Sequence, residues 1–124
     1  LHVHGAVRST AVAGQRVAVN LAGLEVADVP RGAVVATPGS LAVTRRLDAE
    51  IAVLPDAPAL RHGSRVRLHQ GTAEILARVS LAGAAGEVPP GGAALVRLRL
   101  ERPAVVTRRD RFILRRYSPL VTIG

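Results

Sequence analysis

The sequence predicts an all-β fold of antiparallel strands, a barrel or a sandwich, and three observations predict it. Apolar residues recur with a period of two along much of the 124-residue chain. Turn-forming residues break that pattern at short intervals. No stretch carries a convincing amphipathic-helix pattern.

Taken in order, the first forty residues hold only short stretches, among them Val17-Ala18-Val19 and Val34-Val35, expected as brief strands. Longer strands follow. Leu47, Ala49, Ile51 and Val53 alternate with Arg46, Asp48, Glu50 and Ala52. Val66 and Leu68 alternate with Arg65, Arg67 and His69; Ile75, Ala77, Val79 and Leu81 alternate with Glu74, Arg78 and Ser80. Val96, Leu98 and Leu100 alternate with Arg97, Arg99 and Glu101, and Phe112 and Leu114 with Arg111 and Arg115. One dry and one wet face is the signature of half-buried antiparallel strands. The Ala, Glu and Leu of Thr72–Leu81 also suit a helix, but the clean alternation decides for a strand. Turns are expected at Ala13-Gly14-Gln15, Pro30-Arg31-Gly32, Pro38-Gly39, Pro55-Asp56-Ala57-Pro58, His62-Gly63-Ser64 and Pro89-Pro90-Gly91-Gly92. The pattern changes near Thr37–Thr44, so residues 1–40 are expected to end one barrel and residues 41–124 to form a second, nearly complete one. The chain opens without Met directly on an alternating stretch, as part of a longer protein would.

Composition removes several function classes. There is no Cys, which excludes disulfides, thiolate nucleophiles and thiolate metal sites. There is no Lys, so no phosphate-cradling loop of the G-x-x-x-x-G-K-[ST] kind. Nine dispersed acidic residues give no paired-carboxylate site. His2 and His4 share the i, i+2 spacing of a metal pair but lack a nearby third ligand, and nothing orients His69 toward Ser64 or Ser80. No catalytic residue, cofactor or metal is expected within the chain. No apolar run reaches the roughly 20 residues that cross a bilayer as a helix, and a cytoplasmic, membrane-free protein is expected.

The charge points to a polyanion. All 17 basic residues are Arg, and the net charge is +8. Guanidinium groups stay charged and grip phosphates in pairs of hydrogen bonds. Eight Arg lie between Arg97 and Arg116 against only Glu101 and Asp110. Arg97 and Arg99 share one strand face, and Arg108, Arg109, Arg111, Arg115 and Arg116 follow. Placed on neighbouring strands they would track a sugar-phosphate backbone. With Phe112 and Tyr117 the only aromatics, base stacking is a poor model and backbone contact to a duplex a better one. A basic RNA-binding barrel of ribosomal or RNA-processing type would carry the same charge.

Several segments, in order, resemble a family. Ala13-Gly14-Gln15-Arg16-Val17-Ala18-Val19-Asn20-Leu21-Ala22-Gly23, Pro30-Arg31-Gly32 and Thr37-Pro38-Gly39 resemble the second half of the domain II barrel of translational GTPases such as elongation factor Tu. Gln15–Asn20, Leu1-His2-Val3-His4-Gly5, His69-Gln70-Gly71-Thr72-Ala73-Glu74, Asp110–Arg115, Ser118-Pro119 and Thr122-Ile123-Gly124 are similar to domains II and III of the selenocysteine-specific factors, the SelB type. The resemblance covers almost the whole chain, and the nearer rival is another translational GTPase, an elongation or initiation factor. It implies antiparallel barrels that hold selenocysteinyl-tRNA for delivery to the ribosome. It further implies GTP and magnesium in an upstream GTPase domain, and winged-helix modules downstream. Arg16 matches the arginine that lines the selenocysteinyl pocket in such factors. A fixed guanidinium favours a selenolate, largely ionised near neutral pH, over a serine hydroxyl.

Overall fold

The computed structural model describes every residue except Leu1, His4, Ala84 and Ala85. Its contacts fall into two compact units, Leu1–Pro30 and Arg31–Gly124. Almost all regular structure is antiparallel strand, as the alternation predicts.

The first unit is a small three-stranded sheet. β1 (His2–Val3) lies between β2 (Ala6–Val7) and β3 (Val17–Ala18). A three-residue 3-10 turn, Val26–Asp28, follows, closed by a Glu25 backbone N–H that donates to the Asp28 carboxylate at 2.9 Å. Among the described residues only Val3 is buried here. The His2–His4 metal pair falls partly on His4, outside the described residues.

The second unit carries the core. It is built from β4 (Val43–Ala52), β5 (Leu60–Arg61), β6 (Arg65–Gln70), β7 (Ala73–Leu81), β8 (Glu87–Val88), β9 (Ala93–Val105) and β10 (Ile113–Arg116). Five of these form one sheet in the order β10-β6-β7-β9-β4, with every pair antiparallel, and β5 pairs with β8. Because side chains alternate along a strand, Val66, Leu68, Ile75, Ala77, Val79, Val96, Leu98, Leu100 and Leu114 all point inward and are buried. Within the stretch Thr72–Leu81, Ala73–Leu81 is strand, and the helical alternative is not adopted.

The five-stranded ladder is open, but backbone hydrogen bonds link its two sides. Beyond β4, the Leu54 N–H donates to the Ile123 carbonyl at 2.7 Å; Ile123 and Leu114 donate in turn to Leu114 and Gly124 carbonyls at 2.8 and 2.7 Å. Gly124 has room for no side chain, since a Cβ there would overlap the Ala52 carbonyl. Gly32 is similarly constrained: its φ is +95°, and a Cβ would stand 2.9 Å from the Ala73 Cα.

Three features depart from the sequence reading. Val34-Val35 is not a strand; both side chains are exposed, Val35 at 82%. β9 runs on through Pro103 to Val105. The β4–β9 register jumps there, from Thr44↔Ala104 to Arg46↔Arg99, so Pro103 sits in an irregularity where no ladder N–H is required. Last, β9 and β10, expected as neighbours, are separated by β6 and β7.

Candidate nucleic-acid interface

The outer face of the five-stranded sheet is the most basic surface that the ladder assembles. Directly paired residues of adjacent strands share a face. Arg65 pairs with Arg78, Arg78 with Arg99, and Arg99 with Arg46. Four guanidinium side chains therefore stand in one row across β6, β7, β9 and β4. Beside this row Arg115 pairs with Arg67, and Ser80 with Arg97, which pairs in turn with Asp48.

The carboxylates of this face are unevenly shared. Asp48 accepts from Arg97 Nε at 2.7 Å and Nη2 at 3.1 Å. Glu101 accepts from Arg65 Nε and Nη2 at 3.0 and 2.9 Å, and Glu74 from Arg67 Nη1 at 2.9 Å. The donated hydrogen bonds from Arg97 hold the Asp48 carboxyl below its usual range, and those from Arg65 do the same for Glu101. The same bonds push the Arg97 and Arg65 guanidinium groups further up. Arg46, Arg78 and Arg99 have no carboxylate within ion-pair distance among the described residues. Arg78 is steadied by one bond, to the Gly63 carbonyl at 3.1 Å.

Tyr117, just past β10, carries the Arg65 and Arg67 guanidinium carbons 4.6 and 4.9 Å from its ring centroid. Such stacking stiffens both cations. At the opposite edge, a groove of about 520 Å³ runs beside β4 and carries both charges, Arg46, Arg108 and Arg109 with Asp48, Glu50 and Asp110. Arg109 adopts a left-handed φ of +73° at the tip of a tight turn. Asp110 closes that turn, its carboxylate accepting from the Thr107 N–H at 2.8 Å.

The seven arginines singled out from the sequence thus occupy different settings. Arg97 and Arg99 lie on the outer face of β9, Arg97 tied to Asp48. Arg108, Arg109 and Arg111 are exposed in the loop before β10. Arg116 is exposed at the end of β10. Arg115 is half-buried: its Nη2 donates to the Leu120 carbonyl at 2.9 Å and its buried Nε has no partner among the described residues. Sequence reasoning missed Arg46, Arg65, Arg67 and Arg78 as interface residues. The alternation put all four on wet faces, but only the register brings them together. Arg16 is exposed directly before β3, where Val17 pairs with Val3. Residues for other chemistry stay apart: Ser64, just before β6, and His69, within it, are five positions apart along an extended chain, about 16 Å. Among the described residues no cluster of three His, Asp or Glu could hold a metal. Among the described residues no helix is long and apolar enough to cross a membrane.

Comparison with known proteins agrees with this architecture. The family model of the β-barrel domain of selenocysteine-specific elongation factors matches residues 45–124. A selenocysteine-specific elongation factor of Desulfomicrobium baculatum is similar to the chain at 40% identity over 125 residues, covering 100% of this chain and 20% of that protein. The chain thus spans about a fifth of the length of that relative. An antiparallel sheet with one dry and one basic face, matched over most of its length by a family model, places the chain in the selenocysteine-specific elongation factor family, as part of its β-barrel region.

Proposed function

We propose that this part of the protein holds selenocysteinyl-tRNA by its backbone during delivery to the ribosome and performs no chemistry itself. GTP hydrolysis with magnesium then belongs to an upstream GTPase domain, winged helices follow downstream, and the factor works in the cytoplasm. Residues 1–40 act as the end of the domain II barrel and residues 41–124 as domain III. The observation that carries this reading is the outer sheet face, where arginines outnumber the carboxylates available to neutralise them. Phosphate contacts fix register without reading sequence, which suits a factor that must grip one tRNA by its stems.

The set for this role is Arg97, Arg99, Arg108, Arg109, Arg111, Arg115 and Arg116. Reversing two or three of these charges is expected to weaken binding of all tRNAs alike and to flatten the dependence of affinity on salt. Titrating intact protein with several tRNAs across a salt series measures both; an unchanged affinity sinks the assignment.

Arg16 is proposed to contact the selenolate of the aminoacyl group. It follows the Ala13-Gly14 turn and stands exposed directly before β3, free to meet a ligand. A charge-assisted contact contributes about 1.5–3 kcal/mol, so Arg16→Ala is expected to weaken selenocysteinyl-tRNA binding roughly tenfold to a hundredfold. Seryl-tRNA presents no anion and should lose far less. Equal losses for the two aminoacyl-tRNAs would mean that Arg16 serves the tRNA backbone or the fold.

A further inference from the structure

The row of paired arginines is costly in a free protein. Like charges directly opposite one another destabilise a sheet. Here Arg78 faces Arg99, and Arg99 faces Arg46. The nearby carboxylates are committed elsewhere: Asp48 to Arg97, Glu101 to Arg65, Glu74 to Arg67. Glu50, the remaining acid on β4, pairs with Leu95, four residues along the strand from Arg46. The sheet thus pairs Arg65, at one end of the row, with Glu101, whose charge also acts on Arg78, and leaves Arg78, Arg99 and Arg46 without an ion pair of their own among the described residues.

Three further facts define what would occupy it. Adjacent strands lie about 4.8 Å apart, so the step from Arg78 to Arg46 covers about 10 Å. A chain of phosphates can follow the whole row, one guanidinium after another. Arg46 also lines the groove that holds Arg108 and Arg109; Asp48, Glu50 and Asp110 line it too, Asp48 tied to Arg97 and Asp110 to the Thr107 N–H. Thr44 fixes the β4 backbone at that point, its hydroxyl donating to the Arg46 carbonyl at 2.8 Å and accepting from the Arg46 N–H at 3.2 Å. Finally, the aromatic ring of this face, Tyr117, is already covered by Arg65 and Arg67 at the far end, and no ring lies along the row itself.

We propose that Arg78, Arg99 and Arg46 form a track along which one RNA backbone crosses the sheet at right angles to its strands and enters the Arg108–Arg109 groove. This rests on the RNA-holding reading above and adds a path and a direction to it. Arg46, absent from the run Arg97–Arg116, becomes the residue that joins Arg99 to Arg108 and Arg109, and Arg78 extends the track beyond Arg99 on the other side.

The test uses the intact protein, a deacylated tRNA and a short RNA duplex as probes, and affinity measured across a salt series. Arg46→Gln combined with Arg99→Gln is expected to reduce the slope of log affinity against log salt by about two, one per lost phosphate contact. Its melting temperature should hold or rise, because repulsion is relieved. Arg46→Lys with Arg99→Lys keeps the charges and should keep the slope. Arg31→Gln with Arg61→Gln, equally exposed but off the track, should leave it unchanged. An unaltered slope in the Gln pair, with RNA still bound, overturns the path while leaving the RNA-holding reading intact. A lower melting temperature with affinity lost at constant slope overturns it too, in favour of a structural role. Binding of polyglutamate but not RNA, dependent on Arg46 and Arg99, would assign the row to an acidic protein. No RNA binding by the unaltered protein would overturn both readings.

Discussion

The two units of this chain are both built from antiparallel strands, brief in the first and long in the second, and end in different states. In Arg31–Gly124, sixteen residues form one buried cluster in which the sheet, the β5–β8 pair and the C-terminal Ile123 all meet. Among the described residues of Leu1–Pro30 only Val3 is buried, while Val7, Val12, Val19, Leu21, Leu24, Val26 and Val29 are exposed, Val26 at 93%. Alternation tells which side chains share a face. Burial needs a second layer to cover that face, and only the second unit supplies it from its own strands.

The sharpest test of this contrast is hydrogen exchange. Amides opening only with global unfolding are protected by the full stability of the unit, about 5–15 kcal/mol for an ordinary domain, whereas weakly packed segments exchange through openings costing almost nothing. The β7 and β9 amides are expected in the first class and those of β1, β2 and β3 in the second. Equal protection of β3 and β9 would break the comparison.

Core truncation gives the next largest effect. Leu98 is fully buried between its neighbours on the inner face, so Leu98→Ala removes buried methyl groups and leaves a cavity, costing about 2–5 kcal/mol. Val19→Ala, at a side chain already 53% exposed, should stay within about 0.5 kcal/mol. Urea unfolding of both variants measures the difference; a large loss from Val19→Ala would show that the first unit has a core of its own.

The strands of the second unit were legible because long runs repeat the period of two: the residues expected on the dry faces of β6, β7 and β9 are the buried ones, save Leu81 at the end of β7, which is half-buried. Short pairings were not. β5 and β8 are two residues each and bury Leu60 and Val88 through tertiary contact alone. Val34-Val35 has strand propensity without a partner strand, and propensity yields to context. The candidate interface was half legible. The wet-face arginines could be read from alternation, but a period of two fixes a face and not a register. Which arginine meets which depends on hairpin turns such as Gly71-Thr72, and on a strand order that inserts β6 and β7 between β9 and β10. Register is also what separates the paired cations from the bare ones.

The ion pairs of the outer face should make the smallest contribution, and pH isolates it. Asp48 and Glu101 have carboxyls held low by hydrogen bonds from Arg97 and Arg65. A group whose folded pKa is depressed stabilises the fold fully above its unfolded pKa, and loses that contribution as pH falls through the folded value. Stability of the second unit should therefore be flat from neutral pH to the ordinary carboxylate range and decline only below about pH 4. Both groups are exposed, so solvent and salt screen their partners. Asp48→Asn with Glu101→Gln should leave the neutral-pH melting temperature nearly unchanged and flatten the acid decline slightly, with the difference shrinking as salt is added. A large loss at neutral pH in that variant would mean that these carboxylates restrain the whole arginine face. The bare row of Arg78, Arg99 and Arg46 would then depend on them to stay folded in the absence of a ligand.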